Sequence, residues 1–152
     1  MKRVMVIVVL FGISTAVWGC SNGLEPARDL TGTWIGTAPN GAIYADNVAN
    51  PNCSYEADLR ITLAQDGSSL AGSLQLTVRK SEKLLATSLP CIAVGTSSNQ
   101  ALFGEVGSSR VNFTLIDGVT VFSGTFTSDI LSGDFVTNVS NGVIGTFTVQ
   151  RN

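Results

Sequence analysis

With 152 residues, the chain is long enough for one well-cored domain and too short for two. It contains no histidine and three cysteines, which excludes a Ser-His-Asp triad, imidazole acid–base work near neutral pH, His-containing metal sites and an all-thiolate zinc site. The formal charge is −2 and charged residues make up only 13% of the chain; without a basic cluster, nucleic acid is not an expected partner.

The first element is an apolar stretch behind two cations. Lys2 and Arg3 precede Val4 to Phe11, almost wholly aliphatic, and the apolar character continues to Trp18. A membrane-spanning helix needs roughly 20 apolar residues, and this run is shorter, so residues 1–19 are predicted to form a signal-peptide helix. The sequence Val17-Trp18-Gly19-Cys20 resembles the lipobox of bacterial lipoproteins. That resemblance implies cleavage before Cys20, a thioether-linked diacylglycerol on its sulfur and acylation of the new N-terminus. Two or more chains anchor stably, at about 0.8 kcal/mol per buried methylene. Ser21 stands where an inner-membrane retention signal would have Asp, which implies outer-membrane sorting. The expected location is the cell envelope, lipid-anchored, facing the periplasm or the surface. Without Lys2 and Arg3, seven cations face eleven anions, a balance of −4. Such a domain has no attraction to anionic headgroups, so membrane contact is expected through the lipid on Cys20. Residues 20–30 read as a lipidated tether, in which Gly23 and Pro26 discourage regular structure.

From Thr31 to Asn152 the pattern is of short strands and tight turns. Abundant Gly, Thr, Val, Leu and Phe with few Glu and Lys indicate an all-β domain. In 54–64, Tyr55, Ala57, Leu59, Ile61 and Leu63 share one face, and Glu56, Asp58, Arg60 and Thr62 the other. This period-two alternation predicts a half-buried strand. A turn at 65–68 leads to a second strand over 70–79, completing a hairpin. Further strands are predicted near 101–106, 110–116, 119–127, 130–138 and 143–151, separated by turns at 107–108, 117–118, 128–129 and 138–142.

A unit apolar-x-Gly-x-apolar recurs at Leu30/Gly32/Trp34, Leu70/Gly72/Leu74, Leu102/Gly104/Val106, Phe122/Gly124/Phe126, Leu131/Gly133/Phe135 and Val143/Gly145/Phe147. In a strand all three positions face one way, so the glycine lies on the buried face. Glycine is expected where a strand coils or bulges. Its recurrence in six strands predicts a sheet curving onto itself: a single antiparallel up-and-down β-barrel of about eight strands.

Gly32-Thr33-Trp34 is similar to the opening of the calycins, the superfamily of lipocalins, fatty-acid-binding proteins and avidins. In those barrels a Gly-x-Trp on the first strand is covered by an Arg or Lys from the last. Here the last strand ends in Arg151, which has the parity of Gly145, Phe147 and Val149. The resemblance therefore implies a Trp34–Arg151 pair, with Arg151 pointing into the barrel. Cation–π contact then offsets its burial by about 0.5–2 kcal/mol.

Cys53 and Cys91 are the remaining cysteines and are expected to bond in an oxidising compartment. The bond would close a loop of roughly 39 residues, worth about 4 kcal/mol. It would pin a long loop over 38–53 to an irregular segment over 81–99, bringing both to one end of the barrel. No phosphate-cradling or calcium-loop pattern occurs, and Glu56 and Asp58 lie on the polar strand face with Arg60. No enzyme activity, cofactor or metal is expected. The anticipated role is binding of a small apolar ligand or an envelope protein by a monomer. The alternatives are a structural or interaction lipoprotein with a filled barrel, or an inhibitor of a secreted protease. An eight-stranded barrel is just wide enough to be filled or to hold one small ligand.

Overall fold

The computed structural model describes residues 28–46, 51–86, 90–138 and 142–152. The expected signal peptide over residues 1–19, Cys20 and the expected tether as far as residue 27 lie outside the described residues. Among the described residues nine strands follow one another: β1 Gly32–Gly36, β2 Ala42–Ala45, β3 Cys53–Asp66, β4 Ser69–Lys83, β5 Ser97–Val106, β6 Arg110–Leu115, β7 Thr120–Phe126, β8 Ile130–Thr137 and β9 Ile144–Arg151. No helix occurs among the described residues. Each strand from β3 to β9 pairs antiparallel with the next, and both β1 and β2 lie between β9 and β3. β1 and β2 are thus two halves of one stave, and the sheet closes as an eight-stave antiparallel barrel.

The broken first stave corrects the expectation of a loop over 38–53. The chain leaves β1 at Gly36, turns through a cis Ala38–Pro39 peptide and re-enters the sheet at Ala42. Asp58 Oδ1 accepts the Ala38 N–H at 2.9 Å, and Thr148 donates to the Gly41 carbonyl at 3.0 Å, so the excursion stays stitched to the wall. Four strand residues between Gly41 and Asp46 are too few to display an alternation, which is why β2 is hidden in the sequence.

The segment 81–99 is also more regular than expected. β4 runs on to Lys83 and β5 begins at Ser97. Ala57 is opposite Val78 but Glu56 is opposite Lys80, so Arg79 is an extra, bulged residue. The bulge reverses the parity: Ser81 and Lys83, not Lys80, come opposite the inward Tyr55 and Cys53. An alternation that changes phase at Arg79 does not read as one strand.

Inside the barrel, the apolar face of β3 is buried throughout, from Tyr55 to Leu63. The recurring glycines face the same interior. A Cβ on Gly104 would run into the Asn112 carbonyl, and one on Gly133 into that of Ser123, so only glycine lets adjacent strands coil this tightly. Rings occupy the room this leaves. Gly104 is opposite Phe113, Gly133 opposite Phe147, and Gly145 opposite both Phe135 and Tyr44. The rings stack in turn: Tyr55 on Tyr44 (4.7 Å between centroids), Tyr44 near Phe135 (6.0 Å), Phe135 on Phe122 (4.7 Å), Phe122 on Phe113 (4.8 Å), with Phe147 edge-on to Phe122 (5.4 Å). The interior is a packed aromatic column.

Candidate functional site

The two ends of the barrel differ. One carries the tight β3–β4, β5–β6 and β7–β8 turns and both ends of the described domain. Leu30, assigned to the tether by sequence, belongs to the core and is fully buried; its N–H donates to Gln65 Oε1 at 2.8 Å. Trp34, also fully buried, donates its indole N–H to the Leu30 carbonyl at 3.0 Å. Arg151 is directly opposite Trp34 in the ladder, with its guanidinium carbon 4.6 Å from the ring centroid. Contrary to the expectation, Arg151 is exposed and does not point into the barrel. It sits on the last residue of β9, beyond the rim, and lies across the opening as a cap. Its guanidinium donates to the carbonyls of Asp29 (2.6 Å), Thr31 (3.1 Å) and Ser128 (3.2 Å). These bonds tie the entering chain, the β7–β8 turn and the C-terminus together, with no buried charge to compensate.

The opposite end carries the long connections. Cys53 and Cys91 form a disulfide there. Asp46, just after β2, organises the same region. Its Oδ1 accepts the N–H groups of Cys53 (2.8 Å) and Asn52 (3.2 Å), and its Oδ2 accepts the Tyr55 hydroxyl (3.0 Å). The Tyr55 oxygen in turn accepts the Ile92 N–H at 3.3 Å. The Asn52 carbonyl receives the N–H groups of Leu84 (2.7 Å) and Leu85 (3.3 Å). One disulfide, one carboxylate, one phenol and one carbonyl therefore fasten the two connections to each other. Sequence reasoning foresaw the cysteines meeting. It missed Asp46 and Tyr55, whose roles depend on contacts between different loops.

Above this fastening, the connection from β4 to β5 presents Leu84, Leu85, Ile92 and Val94, between 36% and 61% exposed, and the β6–β7 turn adds Ile116. Beneath it the tyrosines stay neutral. Burial, with the neighbouring Tyr55 and Asp46, pushes the Tyr44 phenol up to about 12. Burial also raises Tyr55, against the opposing pull of the Ile92 N–H. Neither supplies a phenolate near neutral pH. Among the described residues, no three Cys, Asp or Glu side chains converge as a metal site. Glu56, with Lys80 at 3.0 Å, and Asp58, with Arg79 at 2.7 Å, form ion pairs on the outer wall. The arrangement can cover and hold an apolar surface.

Two depressions of about 490 and 470 Å³, lined by described residues, lie on the outer wall. Comparison with protein-family models finds no match. Comparisons with curated proteins and with solved structures likewise find no significant match.

Proposed function

We propose that the chain is a non-catalytic envelope lipoprotein, acylated on Cys20, whose calycin-like barrel is a filled scaffold that offers its disulfide-fastened end to a protein partner. The observation that carries this reading is the division of apolar groups. The rings of the interior are spent on each other, while Leu84, Leu85, Ile92 and Val94 stand exposed at the end away from Arg28, where the described chain enters. Exposed apolar clusters of this kind mark interaction surfaces, and loops on a rigid scaffold are where binding residues concentrate. A lipid at Cys20 and a short tether would leave that end facing outward from the membrane. The stacked interior favours a protein partner over a small ligand inside the barrel.

Two measurements test the proposal. Cys20→Ala should abolish palmitate labelling and release the protein from membranes; retained label refutes the anchor. A photo-crosslinking residue at Val94 should capture a discrete envelope protein in cells, whereas one at Ser108, in the β5–β6 turn at the other end, should not. Equal capture from both positions, or a stoichiometric apolar ligand in native mass spectrometry, overturns the partner reading.

A further inference from the structure

The recurring glycine unit also shapes the outside. Where Gly104, Gly124 and Gly133 draw neighbouring strands together, the outer wall is dented, and two adjoining grooves of about 490 and 470 Å³ lie over these glycines and share Asn112. Three cross-strand rows run along this wall. The central row is Glu105, Asn112, Ser123, Asp134 and Thr146, each directly opposite the next. On one side lies Arg110, Thr125, Ser132 and Thr148. On the other lies Phe103, Thr114, Val121, Val136 and Ile144. The wall over β5–β9 is therefore amphipathic across its width, with polar rows beside an apolar one.

Two further observations single it out. Phe103 is 56% exposed, while every other phenylalanine among the described residues is at most 8% exposed. Its ladder neighbours, Ala71 and Thr114, are small and leave the ring uncovered. The side chains of Glu105, Arg110, Asn112, Ser123 and Asp134 have no hydrogen-bond or ion-pair partner among the described residues, whereas on β3 and β4 Glu56 pairs with Lys80 and Asp58 with Arg79.

A pyranose ring has the matching chemistry: hydroxyls around its rim that both donate and accept, and C–H faces that lie against an aromatic ring. Strands repeat every ~4.8 Å, so the central row runs about 19 Å along the curved wall, and the strand spacing is close to the length of one sugar in an extended β-linked chain. Amide, carboxylate and hydroxyl groups can then meet successive sugars strand by strand. Glu105 and Asp134 outnumber Arg110 in the grooves, which disfavours polyanions. We propose that the outer wall over β5–β9 is a binding trough for a neutral β-1,4-linked glycan chain, stacked on Phe103 and hydrogen-bonded along the Glu105–Thr146 row.

The test is calorimetric titration of the full chain, in a sugar-free detergent, with cellohexaose, chitohexaose and dextran sulfate. The expected result is saturable one-to-one binding of at least one neutral hexasaccharide and none of dextran sulfate. Phe103→Ala and Asn112→Ala should each weaken binding tenfold or more at an unchanged melting temperature, since both side chains are exposed. Gln75→Ala, on β4 in a separate depression beside Arg60 and Asp58, should bind as the parent does. Absence of binding by both neutral chains at millimolar concentration, preference for dextran sulfate, or a Phe103→Ala variant that binds normally overturns the proposal. None of these outcomes depends on crosslinking at Val94, so the trough and the protein-partner reading stand or fall separately.

Discussion

Phe122→Ala probes whether the barrel is a filled scaffold. The ring is 2% exposed, stacked between Phe113 at 4.8 Å and Phe135 at 4.7 Å, with Phe147 edge-on at 5.4 Å. Truncating a buried Phe costs about 3–5 kcal/mol. The upper part of that range applies here, because three aromatic contacts vanish together, each worth about 0.5–1.5 kcal/mol beyond area burial. The neighbours cannot collapse into the gap, since each is held by the register of a different stave. For a domain of about 120 residues, 1 kcal/mol corresponds to about 3–5 °C, so a loss of about 4–5 kcal/mol should lower the melting temperature by about 12–25 °C. Urea unfolding followed by circular dichroism should show the lower midpoint with an unchanged slope. The void should also acquire a ligand: benzene should raise the melting temperature of the variant and not of the parent. A loss below about 1 kcal/mol, or benzene stabilisation of the unmodified protein, would refute the reasoning, because the interior would then hold space that Phe122 does not fill.

Arg151→Met tests the cap. It loses a cation–π contact worth about 0.5–1 kcal/mol at an exposed site and three donated hydrogen bonds whose acceptors can rehydrate, so a loss of about 1–2 kcal/mol is expected. In protein lacking residues 1–19, Trp34 is the only tryptophan, and its emission should shift to the red; unchanged melting and emission would dismiss the cap. Asp58 gives a pH dependence. The Ala38 N–H, helped by the Arg79 guanidinium and opposed by burial, holds its carboxyl below the usual carboxylate range. A depressed carboxyl stabilises the fold above its unfolded pKa of about 3.9, and that stability is lost as the pH falls through the lower folded value. Asp58→Asn should therefore be less stable than the parent at pH 7, with the difference shrinking in acid; a gap that stays constant down to pH 2 contradicts the assignment.

Much of this barrel is legible as a string of letters. The alternation from Tyr55 to Leu63 depends only on the two-residue period of an extended chain, so β3 and its buried face follow directly. The glycine unit works the same way: it reports curvature because a buried-face glycine has little other use in a strand. The Asp117-Gly118 turn is local too, with Gly118 at φ +73° and Asp117 accepting the N–H groups of Val119 and Thr120 at 2.9 Å. What remained hidden is non-local. β2 is too short to show a period, and the Arg79 bulge breaks the phase of β4 without any marker residue. The parity of Arg151 was readable, but parity cannot tell whether a last residue lies within the barrel rim or beyond it. The ring column, the Asp46–Tyr55 fastening and the polar row over the outer wall each join residues from strands that meet only on closure. Their partners are set by register between staves. The sequence by itself determined which residues of the long regular strands face inward; only the closed sheet decided which of them meet, and where the alternation breaks or ends.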